Sequence, residues 1–323
     1  MTPKIASLWM LLAVLANGQA QAAPARPECI APAKPGGGFD LTCKLAQRAL
    51  LDGKVIETPM RVTYMPGGIG AVAYNSVIAQ RASDPNSVVA FSSGSLLNLA
   101  LGKYGKYGVN DVRWVASIGT DYGMIAVRAD SPYRSLKELM SALRATPERI
   151  VFGAGGTIGS QDWMKSALVA RQAGVDYRKM RYVAFEGGGE AFTALLGGHV
   201  QVVSGDIGEA AARIDAKRVR ILAVLADQRL PGKLASIPTA REQGYALSWP
   251  IIRGFYVGPK VSQADYDWWV GAFRKAAAAP GFAALRESRG LFPLTLDGAE
   301  LDAFVKKSVS DYQRQAREFD LVR

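Results

Sequence analysis

Short apolar runs that end in glycine or serine, each handed on to a helix-like stretch, recur along this chain and constrain it more than any other feature. They cover residues 28–33, 61–64, 88–91, 150–152, 181–185, 200–203 and 220–226. Between them, residues 40–51 set Leu41, Leu45 and Ala49 on one face at a spacing of four. Near the C-terminus Leu301, Phe304, Val305, Val309 and Tyr312 repeat the helical period. Strands alternating with helices predict an α/β fold with parallel or mixed sheets. The composition, 49% hydrophobic and 21% charged over 323 residues, is that of a core-forming chain.

Two apolar stretches read as crossings between domains. Residues 124–128 run into the turn Asp130-Ser131-Pro132 and a new helix, and residues 251–257 return before Gly258-Pro259. A chain that leaves a domain and later returns gives a discontinuous first domain, at 23–126 and 247–323. The inserted second domain spans 127–246, with a cleft between the two.

Residues 1–22 combine Lys4, an apolar stretch over 5–16 and the small residues Ala20 and Ala22 around Gln21. This is the pattern of a cleaved secretory signal, and the apolar run is shorter than the roughly 20 residues of a membrane-spanning helix. Export to the periplasm is therefore expected. In that oxidising compartment the two cysteines, Cys29 and Cys43, read as one disulfide, and two unpaired buried thiols are the alternative.

The charge balance and residue inventory narrow the chemistry. With 39 Lys+Arg against 28 Asp+Glu, the formal charge of +11 favours anions. One histidine, His199, leaves little for a Ser/His/Asp triad or a histidine-rich metal site, and it reads as a surface-turn residue. The basic residues are dispersed, with no aromatic-interleaved stripe, so nucleic acid is not an expected partner. No metal or cofactor is expected.

Glycine-rich turns carry the positive signal. In PGGGFD (35–40) the N–H groups of Gly36, Gly37 and Gly38, with the start of a helix near Phe39 and Asp40, can hold a carboxylate or phosphate. Asp40 is expected as the helix N-cap. The bland alternative is a tight turn where glycine merely permits positive φ. GAGGTIGS (153–160) also joins a strand to a helix. Its third glycine falls at Gly159 rather than at Ile158, and Tyr177 and Lys179 stand too close to serve a short-chain dehydrogenase, so a nicotinamide site is the weaker reading. A second anion-binding helix start is the stronger one, with Gly156, Gly159 and the hydroxyls of Thr157 and Ser160. FSSGS (91–95) offers Ser92 and Ser93 to the same cleft. Arg253 interrupts an apolar stretch and either reaches solvent or turns into the cleft toward a carboxylate.

The segments ECIAPAKPGGGFDLTCKLAQ, MPGGIGAVAYN, FGAGGTIGSQ, VAFEGGGEAFTALLGGHVQVVSGD and SIPTAREQGY together resemble the periplasmic substrate-binding component of tripartite tricarboxylate transporters, the TctC/Bug type. The resemblance implies a two-domain periplasmic binding protein, type II-like, that closes on its ligand by hinge motion and is not an enzyme. It implies a ligand carboxylate held by Gly36, Gly37, Gly38, Phe39 and Asp40, and faced by Gly156, Thr157, Ile158, Gly159 and Ser160. Hydroxyls from Ser92 and Ser93 and an acidic residue at Asp206 complete the set. Two departures stand out: Glu186 precedes the third glycine-rich turn and should point away from the site, and Arg253 precedes Gly254, which would suit an extra carboxylate. The expected ligand is citrate or a related tricarboxylate. A dicarboxylate, an acidic amino acid or an aromatic acid are alternatives, and an NAD-dependent oxidoreductase is the distant rival. The implied partners are membrane permease subunits, with a membrane sensor kinase as an alternative, and the chain is expected to be a monomer.

Overall fold

The computed structural model describes residues 24–215, 217–319 and 321. The signal segment expected at 1–22 lies outside them. Nine strands run in chain order as β1 (Glu28–Ala31), β2 (Arg61–Tyr64), β3 (Ser87–Ser92), β4 (Arg113–Arg128), β5 (Val151–Gly155), β6 (Arg181–Phe185), β7 (Val202–Asp206), β8 (Val219–Leu225) and β9 (Pro250–Val257). The helices are α1 (Gly38–Asp52), α2 (Ala71–Gln80), α3 (Ser93–Ala100), α4 (Leu136–Ala145), α5 (Gln161–Gln172), α6 (Gly188–Leu196), α7 (Ile207–Asp215), α8 (Gln263–Ala278), α9 (Phe282–Ser288) and α10 (Gly298–Glu318).

The long strand β4 organises the molecule. Its first part, Arg113–Tyr122, pairs antiparallel with β9, which continues into β3, β1 and β2. Its second part, Gly123–Arg128, pairs with β8 and, over Gly123–Ala126, with β7, which leads to β5 and β6. Two sheets thus share one strand, and each has its own core. Cys29, Phe255, Trp269 and Phe273 are buried beside the first, Phe152, Met164, Leu168 and Trp249 beside the second. The fold is that of a mixed α/β, two-domain binding protein.

Local sequence explains the elements that frame the cleft. β3 is buried along its whole length, which its SVVAFS sequence permits, and it ends in Ser92, whose hydroxyl caps α3 by accepting the Gly94 N–H at 3.2 Å. α4 begins at Ser135, which accepts the Glu138 N–H at 3.1 Å. α1 begins at Gly38, with Gly37 as an N-cap that offers no side chain, rather than near Asp40 as expected. Cys29 and Cys43 are disulfide-bonded, tying β1 to α1 around the glycine turn. Parallel strands leave their C-terminal ends facing the junction of the sheets, the position where α/β sheets bind ligands.

Candidate functional site

Two adjoining chambers lie at that junction. The inner one, about 40 Å³, is lined from the first sheet by Gly37, Gly38, Phe39, Ser92 and Arg253. Ser160, Gln161, Asp162, Asp206 and Glu209 line it from the second, with Gly188. The outer one, about 290 Å³, is walled by Ile69, Asn98 and Lys103 on one side and by Gly156, Thr157, Ser160 and Glu186 on the other. Ile69, Asn98 and Ser160 line both chambers. Ile69 sits between them at φ 47°, a left-handed conformation that costs a β-branched residue energy. Tyr104 holds it there, donating its hydroxyl to the Ile69 carbonyl at 2.8 Å.

Several expected site residues meet here and others do not. Gly37, Gly38, Phe39, Ser92, Ser160, Asp206 and Arg253 border the inner chamber, and Gly156 and Thr157 the outer one. Asp40 neither caps α1 nor reaches either chamber. It sits in the first turn and turns back, its carboxylate accepting the Gly36 N–H at 2.8 Å, the Tyr64 hydroxyl at 2.8 Å and a Lys44 ammonium hydrogen at 2.9 Å. Gly36 lies with it outside the two chambers. Ser93 spends its hydroxyl on the Ile252 N–H at 3.1 Å. The side chain of Ile158 is 61% exposed, and its carbonyl accepts from Lys103 at 3.0 Å. Gly159 follows it and lines neither chamber. Glu186, expected to turn away, is exposed on the outer wall.

Arg253 turns into the cleft rather than to solvent. It is buried, and its Nη2 donates to Asp121 at 2.8 Å and to Asp206 at 2.6 Å, so its charge is taken up inside the protein instead of waiting for a ligand carboxylate. Gly38 is glycine because a Cβ there would stand 2.0 Å from the Arg253 Nη1. Asp206 also accepts from the buried Lys165 at 2.6 Å, and Lys165 lies 2.8 Å from Asp162. Burial pushes the Asp206 carboxyl up, but Lys165 and Arg253 outweigh it and hold the group below its ordinary range. Asp121 goes the other way, raised by burial and by the neighbouring Asp206, which outweigh the lowering by Arg253. Asp162 is pushed up to about 6, chiefly by burial.

Glu209 was not anticipated, and it occupies the place foreseen for a ligand carboxylate. Its Oε1 accepts the Gly38 N–H at 2.6 Å, across 171 residues of sequence. Its Oε2 is buried without a hydrogen-bond partner among the described residues. A Cβ on Gly188 would lie 1.9 Å from that oxygen, which is why the start of α6 needs glycine. Burial first, then Asp206 and Asp162, push Glu209 up to about 8. The sequence signal for Asp121 was the same as for Arg253, a charge inside an apolar strand. Glu209 and Lys165 lie on helices, where a charge reads as an ordinary solvated face, and only the tertiary fold turns them inward.

Two sheets joined by a shared strand, with helix starts and loops from both converging on one cleft, define a two-lobed solute-binding protein. Residues 46–321 match the Tripartite tricarboxylate transporter family receptor model, TctC, and the chain belongs to that family. The UPF0065 protein in gbd 5'region of Cupriavidus necator is 26% identical over 291 residues, covering 88% of this chain and 84% of its own. The structure of the periplasmic binding protein BugD superposes with a TM-score of 0.82 at 19% identity, over 93% of this chain and 99% of that one. MatC from Rhodopseudomonas palustris with bound malate gives a TM-score of 0.77 at 20% identity, over 90% and 99%. Among the described residues no helix is long and apolar enough to cross a membrane.

Proposed function

We propose that this chain is a periplasmic receptor that closes over a small organic acid in the cleft and presents it, as a monomer, to the membrane subunits of a tripartite transporter. The observation that carries this reading is the outer chamber. It has one wall from each sheet, and Lys103 stands on it with no carboxylate partner among the described residues. A bound acid touching both walls would stabilise the closed arrangement, because only contacts that differ between states shift such an equilibrium. A hinge through the segments near residues 126 and 247 would carry the motion.

Citrate and other tricarboxylates fit this geometry less well than acids with one or two carboxylates. The guanidinium intended for a third carboxylate is already bonded to Asp121 and Asp206. MatC, of the same fold, is described with malate bound, a dicarboxylate. An oxidoreductase reading of residues 153–160 gains nothing from the family match. Thermal shifts of the mature chain with succinate, glutarate, pentanoate, citrate and NAD test the proposal, since a ligand that binds only the folded state raises the melting temperature. Shifts with the mono- or dicarboxylates that Lys103→Ala removes support it. A shift with NAD alone, or no shift with any acid, amino acids included, defeats it.

A further inference from the structure

The charge inside the cleft runs opposite to the charge of the whole chain. Four carboxylates, Asp121, Asp162, Asp206 and Glu209, meet two cations, Lys165 and Arg253, leaving an excess of two negative charges when all are ionised. Buried charge without a partner is costly, and a site so built holds protons until a cation arrives. Arg213, on the helix of Glu209, donates to the Glu209 carbonyl rather than to its carboxylate, and Lys44, Arg218 and Arg289 line a separate cavity on the other side of Glu209 with no hydrogen bond to its carboxylate among the described residues. The hydrogen-bond inventory agrees with the charge. Three buried acceptors on residues lining the inner chamber, Glu209 Oε2, Gln161 Oε1 and Asp162 Oδ1, make no hydrogen bond among the described residues, the last being 2.8 Å from the Lys165 ammonium, against one such donor there, Arg253 Nε. Gln161 is oriented by its Nε2, which donates to Asp206 at 3.3 Å.

We infer that the solute carries a protonated amine, and that Glu209 receives it in the inner chamber while the rest of the molecule occupies the outer one. This rests on the receptor reading above and names the class of solute within it. An ammonium brings three donors to a site rich in unpaired acceptors, whereas a carboxylate brings only more acceptors. An inner chamber of about 40 Å³ has room for one or two water-sized groups, so it suits an ammonium and is too small for a carbon skeleton. A metal cation suits it less, since among the described residues no cluster of His, Cys, Asp or Glu has an arrangement that could hold one. Glu209 lies on the first turn of α7, and its Oε1 bond to Gly38 leaves the free Oε2 against Gly188 at the start of α6, a residue that also lines the inner chamber.

Calorimetry on the mature chain with matched pairs tests this: glutarate against glutamate, and pentanoate against 5-aminopentanoate. The amino member of at least one pair is expected to bind about tenfold more tightly or better, as for a hydrogen bond to a charged group. Glu209→Gln should erase that preference, so that the two members of the pair bind alike. Titration in two buffers of different ionisation enthalpy adds a readout on the unaltered protein. An amine that displaces the Glu209 proton releases it on binding near neutral pH, whereas a carboxylate entering the same chamber takes a proton up. Equal or tighter binding of the amine-free members, or a preference that survives Glu209→Gln, overturns the inference and leaves the receptor reading intact. Failure of every acid to bind, with or without an amine, overturns both.

Discussion

The starts of α1 and α5 both border the inner chamber and both present unpaired N–H groups at a positive dipole end, yet they satisfy them in different ways. α5 is self-sufficient. Ser160 accepts the Trp163 N–H at 3.4 Å, and Asp162 in the first turn accepts the Gly155 N–H at 3.1 Å. α1 has no side chain at its N-cap, and its first amide is met by Glu209 from the opposite sheet. Opening the cleft would leave α5 unchanged and strip α1 of its carboxylate. On the receptor reading, the contact at the start of α1 therefore depends on closure of the cleft, and the cap at the start of α5 does not.

The largest effect should come from the ion cluster that stitches the two sheets beside α1. Arg253→Met leaves Asp121 and Asp206 facing each other without the guanidinium, and breaking a buried pair from one side costs about 3–5 kcal/mol. Denaturant unfolding would show it as a lowered midpoint. A loss below 1 kcal/mol would mean that Lys165 alone neutralises the cluster. Reduction of Cys29–Cys43 comes next, at roughly 3 kcal/mol for a loop of about 15 residues. The bridge tethers the α1 turn to β1, and the α5 turn has no such tether. Amide exchange after reduction should therefore quicken at Gly36–Gly38 and stay unchanged at Gly156–Ser160.

The pH dependence of stability separates the two starts further. Glu209 rises from 4.5 to about 8 and Asp162 from 3.8 to about 6, so both bind a proton more tightly in the folded chain than in the unfolded one. Their stabilisation is complete below the unfolded values and is lost as pH rises through the folded ones. Asp206, shifted down, contributes the opposite slope at acid pH. Between pH 6 and 8 the ligand-free protein is expected to lose on the order of 2 kcal/mol, mainly through Glu209. Glu209→Gln, which mimics the protonated carboxyl, should flatten that limb, leaving the variant equal to wild type below about pH 4 and more stable at pH 8. A wild-type curve that rises over the same interval would place the ionised form of Glu209 among the stabilising groups.

What could be read from the sequence follows the same division. The turn-to-helix junctions after β1, β3 and β5, the disulfide and the capping Ser160 are local features, fixed by residues close together in the chain. Arg253 was visible as a charge within an apolar strand, but its partners, at Asp121 and Asp206, are 132 and 47 residues away. Glu209 follows Asp206 by one helical turn and carries no local mark of its role. Its meaning comes from Gly38, Gly188 and the crowd of carboxylates that folding assembles around it. The overall charge of +11 averages a basic outer surface with an interior where Asp121, Asp162, Asp206 and Glu209 meet Lys165 and Arg253, so composition carries no mark of that cluster.

The smallest expected effect tests whether α5 is as independent as its contacts indicate. Ser160→Ala removes the N-cap acceptor and a 3.3 Å contact with the Tyr182 hydroxyl, and loss of a serine cap costs about 1 kcal/mol. Tyr182 keeps its stronger bond, donating to the Gly156 carbonyl at 2.6 Å, so the turn itself should survive. In a double-mutant cycle with Glu209→Gln the two changes in stability should add to within about 0.5 kcal/mol, as for sites without shared partners. A larger coupling would show that the α5 start senses the Glu209 carboxylate bonded to α1 through Asp162 and Lys165, and the contrast between a permanent and a conditional helix start would then collapse into one cooperative cluster.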